Sequence, residues 1–127
     1  MKYGYQRTIN YDFEKVDKKI RETLMEEGFG ILTEIDVKEA FKEKLQIDFQ
    51  RFRILGACNP ILAHKALTTE LEVGMLMPCN VVIWENSDGS VTLSAGDAEI
   101  LLSVAEADLN SIACEANQRL QRAVDAV

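Results

Sequence analysis

Hydrophobic positions recur at helical spacing near both ends of the chain and at strand spacing between them. Phe13, Val16, Ile20 and Leu24 follow Asp12 in steps of three and four, with Lys15, Lys18, Lys19, Glu22 and Glu26 on the other side. This is the single apolar stripe of an amphipathic helix, with Asp12 as its N-cap and Gly28 as the left-handed stop. Near the other end, Leu109, Ile112, Ala113, Ala116, Leu120, Ala123, Val124 and Val127 fall on one helical face, and Gln118, Gln121, Arg122 and Asp125 face away. Asp108 is the predicted cap of that last helix.

The stretches between read differently. From Lys2 to Ile9, Tyr3, Tyr5 and Arg7 alternate with Gly4, Gln6 and Thr8, a weakly apolar pattern that suits an edge strand. Phe29–Ile35 is a second strand. Asp36 then caps a helix with Glu39 three residues on, in the manner of a capping box. Val37, Ala40, Phe41 and Leu45 give that helix a short apolar stripe, closed beneath by Ile47 and Phe49. Phe52–Leu55 is a third strand. Val81–Trp84 is apolar on both faces, as a covered strand should be, and Val91–Leu93 returns after the Asn86-Ser87-Asp88-Gly89 turn signal. Residues 81–94 are therefore a predicted hairpin, whereas Ala98–Val104 fits either a helical turn or an extended run. The order strand-helix-strand-helix-strand-helix-hairpin-helix, with no repeat or linker, predicts one domain over residues 1–127, α/β or α+β, with helices packed on a sheet.

Composition narrows the function classes. At 127 residues the chain can bury a real core, and its 47% apolar and 28% charged content is ordinary for a globular protein. A net charge of −7 argues against nonspecific binding to nucleic acid or anionic membrane, which requires clustered positive charge. The start of the chain lacks a signal-peptide pattern, and no run approaches the roughly 18 apolar residues of a membrane span. Three cysteines, an odd number without an export signal, point to reduced thiols in the cytoplasm.

The chemistry concentrates in Arg53–Asn80, RILGACNPILAHKALTTELEVGMLMPCN. It holds both prolines, the only histidine and two Cys-Asn pairs, Cys58-Asn59 and Cys79-Asn80. In Gly56-Ala57-Cys58-Asn59-Pro60 a strand ends, Asn59 caps a helix and Pro60 takes its first position, where a missing N–H costs nothing. Cys58 precedes that N-terminus, whose partial positive charge lowers thiol pKa values and attracts anions; a plain turn around a small buried cysteine fits the same residues. His64 lies at the margin of the helix's apolar side, one turn on, and helical side chains lean back toward Cys58. If the third and fourth strands are neighbours, Cys58, His64 and Cys79 are three soft ligands of the kind zinc or copper(I) takes, but their spacing matches no standard zinc signature and no fourth ligand is evident. No metal or cofactor is therefore expected. Cys114 projects opposite the apolar stripe of the last helix, away from this segment. The chain has no glycine-rich phosphate loop and no paired carboxylates at a telling spacing; Glu34 and Asp36 read as a solvated rim and a helix cap.

Three blocks, GFGILTEIDVKEAFKEKL, RILGACNPILAHKAL and GMLMPCNVVIWE, spanning Gly28–Glu85, resemble the signature blocks of the domain of unknown function 302 family. The resemblance implies a compact α+β fold, a curved, mainly antiparallel sheet of about five strands with helices on one side, often as a homodimer. It marks Arg53, Cys58, Asn59, Pro60, His64, Pro78, Cys79 and Asn80 as matching positions, and it brings no activity. Prolines expected of the family after Gly96 are absent from DAEILLSV and AEADL.

Three functional expectations follow. The first is a cytoplasmic homodimer binding a small ligand, an anion in the simplest case, in a pocket lined by Arg53, Cys58, Asn59, His64, Cys79 and Asn80. The second is a thiol enzyme with Cys58 as nucleophile and His64 as base. The third is an interaction module without a catalytic site, dimerising through its last helix.

Overall fold

The computed structural model describes residues 3–127. Five strands, β1 (Gly4–Ile9), β2 (Gly30–Asp36), β3 (Phe52–Cys58), β4 (Cys79–Glu85) and β5 (Val91–Gly96), form one antiparallel sheet in the order β1-β5-β4-β3-β2. β1 is an edge strand, as its weak pattern predicts, although Lys2 lies outside the described residues. β3 and β4 are neighbours, the condition for bringing the two Cys-Asn pairs together.

The helices are α1 (Phe13–Glu26), α2 (Val37–Leu45), α3 (Pro60–Thr69), α4 (Ala98–Leu101) and α5 (Asn110–Asp125), with 3₁₀ turns at Leu71–Leu76 and Leu102–Val104. Asp12 Oδ1 accepts the Lys15 N–H at 2.9 Å and Asp36 Oδ1 the Glu39 N–H at 3.0 Å, so both aspartates cap as expected. Gly28 adopts φ +86° after α1 and Gly89 φ +88° in the β4–β5 turn. Ala98–Val104 resolves as helix because Asp97 Oδ1 caps it, accepting from Ile100 N at 3.0 Å. Asp108 does less than predicted. It accepts from Asn110 N, two residues on, and the N-cap of α5 is Leu109, which makes no side-chain cap bond.

One face of the sheet carries α1 and α5. Phe13, Val16, Ile20 and Leu24 of α1 and Leu120, Ala123 and Val124 of α5 meet Leu55, Ala57, Val81, Ile83, Leu93 and Ala95 in one buried core. The predicted stripe of α2 buries nothing fully. Phe41 instead meets Phe49 edge-on at 5.1 Å, and Phe49 leads on to Phe52, which stacks on Trp84 at 5.7 Å. That aromatic row pins α2 to one end of the sheet.

The cluster around Arg53 anchors α1 to the head of β3. Two of its nitrogens donate to Glu14 at 2.9 Å each, and Nη1 lies 3.1 Å from Asp17 Oδ2. Asp17 also holds Arg21 at 2.7 Å, and Arg51 pairs with Glu14. The bonds to Glu14, and then to Asp17, raise the guanidinium pKa against the lowering effect of burial.

An apolar cavity at the end of the sheet

At the far end of β3 the helices do not close on the sheet. They leave a cavity of about 370 Å³. Strand ends supply Ala57, Cys58 and Cys79; α3 supplies Leu62, Ala63, Ala66 and Leu67; the segment before β4 supplies Gly74, Leu76, Met77 and Pro78. Ala98, Leu101 and Leu102 form a third wall, Ile112 and Ala116 of α5 a fourth, and Phe29 and Leu32 complete the rim.

Local chemistry explains each wall. β3 stops because Asn59, extended at φ −97° and ψ 106°, turns its Oδ1 onto the Leu62 N–H at 3.2 Å, and Pro60 follows at the first helical position. The segment before β4 is held against the strand by Gly56, where a Cβ would meet Pro78 Cγ at 2.7 Å and collide with the Thr33 hydroxyl. Two polar side chains fasten the remaining walls. Asn117, only 7% exposed, accepts from Ala98 N at 2.7 Å and donates to Asp97 at 2.9 Å and Glu99 at 3.3 Å, tying α4 to α5. Glu70 Oε1 accepts from Ala107 N at 2.7 Å, tying the end of α3 to the segment before α5.

The predicted site residues divide between the cavity and other surfaces. Cys58, Asn59, Pro78 and Cys79 come together on its wall. Cys79 pairs with Ala57 across the β3–β4 ladder, one residue out of step with Cys58, so the two cysteines stand at adjoining strand ends. His64 lies on the exposed side of α3 and Asn80 on the exposed rim of β4, both off the cavity wall. Arg53 stands five residues before Cys58, about 17 Å along an extended strand, with its guanidinium turned to α1. Among the described residues, no three His, Cys, Asp or Glu side chains gather as a metal site, so Cys58, His64 and Cys79 do not form a three-ligand cluster.

Asn117 and Glu70 are functional in the sense that they hold the walls, and sequence reading passed over both. Asn117 had a signal: it stands between Ala116 and Leu120 on the apolar face of α5, where an amide must find partners. Glu70 carried none.

Among the described residues the lining contains no charged side chain, and the three cysteines are free. Burial first, and then the neighbouring Cys58, push the Cys79 thiol pKa up, so Cys79 stays protonated where an exposed thiol begins to ionise.

The sequence profile of the domain of unknown function DUF302 matches residues 5–127. The fold is similar to that in the crystal structure of the uncharacterized conserved protein DUF302 from Bacillus stearothermophilus, with a TM-score of 0.91 and 27% identity over 99% of this chain and 98% of that one. No curated protein matches.

The thiol environments predict an order of alkylation by iodoacetamide at about pH 8: Cys114 first, Cys58 next and Cys79 last, with Cys79 gaining most as pH rises further. Peptide mass spectrometry of the folded protein reads this directly. Cys79 labelling as fast as Cys114 would contradict the buried placement, and Cys58 outpacing Cys114 would favour thiol chemistry at the α3 start.

Proposed function

We propose that this chain, which belongs to the DUF302 family, is a small-molecule binding domain whose site is the cavity between the strand ends and α3. The carrying observation is the cavity itself: about 370 Å³, walled almost wholly by apolar side chains, at the small end of the range for ligand sites. The ligand's surroundings are then Cys58, Asn59, Cys79 and the apolar wall, and not His64, Arg53 or Asn80. Such a wall suits an apolar body. Each methylene transferred into it contributes about 0.8 kcal/mol, so a body of six or seven carbons contributes roughly 5 kcal/mol before the costs of association. The free thiols suit a reducing compartment, and on that ground the protein belongs in the cytoplasm. No helix among the described residues is long and apolar enough to cross a membrane.

Filling the cavity should separate ligand binding from folding. Ala63 is half-buried on the α3 wall, so Ala63→Trp should occupy the space with a melting temperature no lower than that of the wild type. Titration with cyclohexane, followed by the methyl resonances of Ala66 and Ala116, should shift these signals in the wild type and lose at least tenfold in affinity in the variant. Equal titration of both proteins, or shifts confined to other residues, would contradict the site.

A second observation supports homodimerisation. The sheet face opposite α1 and α5 presents Ile35, Ile54, Val82 and Trp84 flanked by Thr8 and Thr33, and the strand residues on this face include no Asp, Glu, Lys or Arg. Ile35 is 50% exposed there. A copy carrying −7 is repelled by its twin wherever charges meet, so a charge-free patch is the surface on which two copies can join. Sedimentation velocity should find a dimer for the wild type and a monomer for Ile54→Glu. A wild-type monomer would contradict this reading, and a dimer that survives Ile54→Glu but dissociates on charging Gln118 and Gln121 would move the contact to α5.

A further inference from the structure

Among the described residues, the cavity wall carries one side chain with a nitrogen or oxygen atom, Asn59. Its orientation is fixed, because Oδ1 accepts the Leu62 N–H and the amide nitrogen is therefore the other branch. Asn59 is only 8% exposed, and among the described residues its Nδ2 finds no acceptor. Among the described residues no fully enclosed side-chain nitrogen or oxygen lacks a partner, so Nδ2 keeps some access to open space, and Asn59 is one of the residues that line the cavity. Gly28 keeps that branch clear: a Cβ there would come within 3.0 Å of Nδ2. A buried amide N–H without an acceptor costs free energy, and a ligand supplying one recovers it.

The rest of the wall decides what kind of acceptor fits. With no Lys, Arg or His among the described residues of the lining, a carboxylate or phosphate would surrender its water without gaining a counter-charge there, a loss one amide bond does not offset. A neutral carbonyl gives up far less. The start of α3 adds partial positive charge beside Asn59, which favours the oxygen end of a carbonyl dipole. Resting on the binding role assigned to this cavity, we propose that its ligand is a neutral molecule with an apolar body and one carbonyl-type oxygen (a ketone, ester or amide), which accepts a hydrogen bond from Asn59 Nδ2. Asn59 thus has two tasks, with Oδ1 starting the helix and Nδ2 choosing the ligand. The same reasoning turns away the anion that the helix start alone would suggest.

Three probes of similar length test this by NMR titration of the full chain: 2-heptanone, its hydrocarbon isostere 2-methyl-1-heptene, and heptanoate at neutral pH. In the wild type, 2-heptanone should move the Asn59 side-chain amide protons downfield, and the alkene should bind without doing so. Asn59→Asp and Asn59→Ser both keep a cap oxygen for Leu62, and either one that retains the wild-type circular dichroism serves. Each should weaken 2-heptanone by about tenfold and leave the alkene unchanged. Equal effects on both probes, or an unmoved Asn59 amide, would overturn the carbonyl assignment while the binding site stands. Heptanoate binding more tightly than the ketone would overturn the neutral head. If no probe binds, the binding role itself falls and this inference with it.

Discussion

The cavity exists because small residues stand where a packed interior would place large ones. Ala63 and Ala66 on α3, Ala98 on α4, Ala116 on α5, and Gly74 and Gly96 beside them face one another across a space that leucines would close. Protein interiors pack as densely as organic crystals, and unfilled volume costs roughly 20–25 cal/mol per Å³ where it is enclosed. Even partly open, a space of this size forgoes on the order of several kcal/mol. Its walls are nevertheless fixed in place by specific bonds, Asn117 to Ala98 and Glu70 to Ala107 among them. The proposed binding role draws on a void fixed in this way.

The opposite half of the molecule makes that possible. There α1 and α5 meet the sheet through large side chains, with Phe13, Ile20, Leu24, Leu55, Ile83, Leu93 and Leu120 almost fully buried. Arg53 binds the first turn of α1 to the start of β3, and the same strand reaches the cavity with Cys58 at its other end. β3 therefore joins a rigid end to a hollow one. Positions on its helix-facing side (Leu55, Ala57) belong to the core, while Gly56 faces away and takes up Pro78.

Much of this was legible in the sequence, for physical reasons. The α1 stripe could be read because one face is wholly buried and the other solvated, so periodicity and burial coincide. The Asn59-Pro60 helix start could be read because each residue has a local task that no distant contact alters. Legibility failed where tertiary contacts decided the outcome. His64 and Arg53 share a segment with Cys58, but one points to solvent and the other to α1, and helix phase alone could not show that the space beside Cys58 is apolar. The length of β3 was underestimated because Gly56 and Ala57 are weak strand formers, paired there by β2 and β4 on either side. The void itself had a faint signature, the run of alanines across α3, α4 and α5, which carries meaning only once those helices are known to face each other.

The proposed binding role requires the space beside Cys58 and Asn59 to be a dry, apolar cavity. Diffraction from crystals pressurised with xenon tests it most directly, since xenon enters apolar cavities and leaves hydrated polar ones. Xenon density is expected between Ala66, Leu102 and Ala116. A xenon-free cavity filled by a chain of ordered water would contradict it.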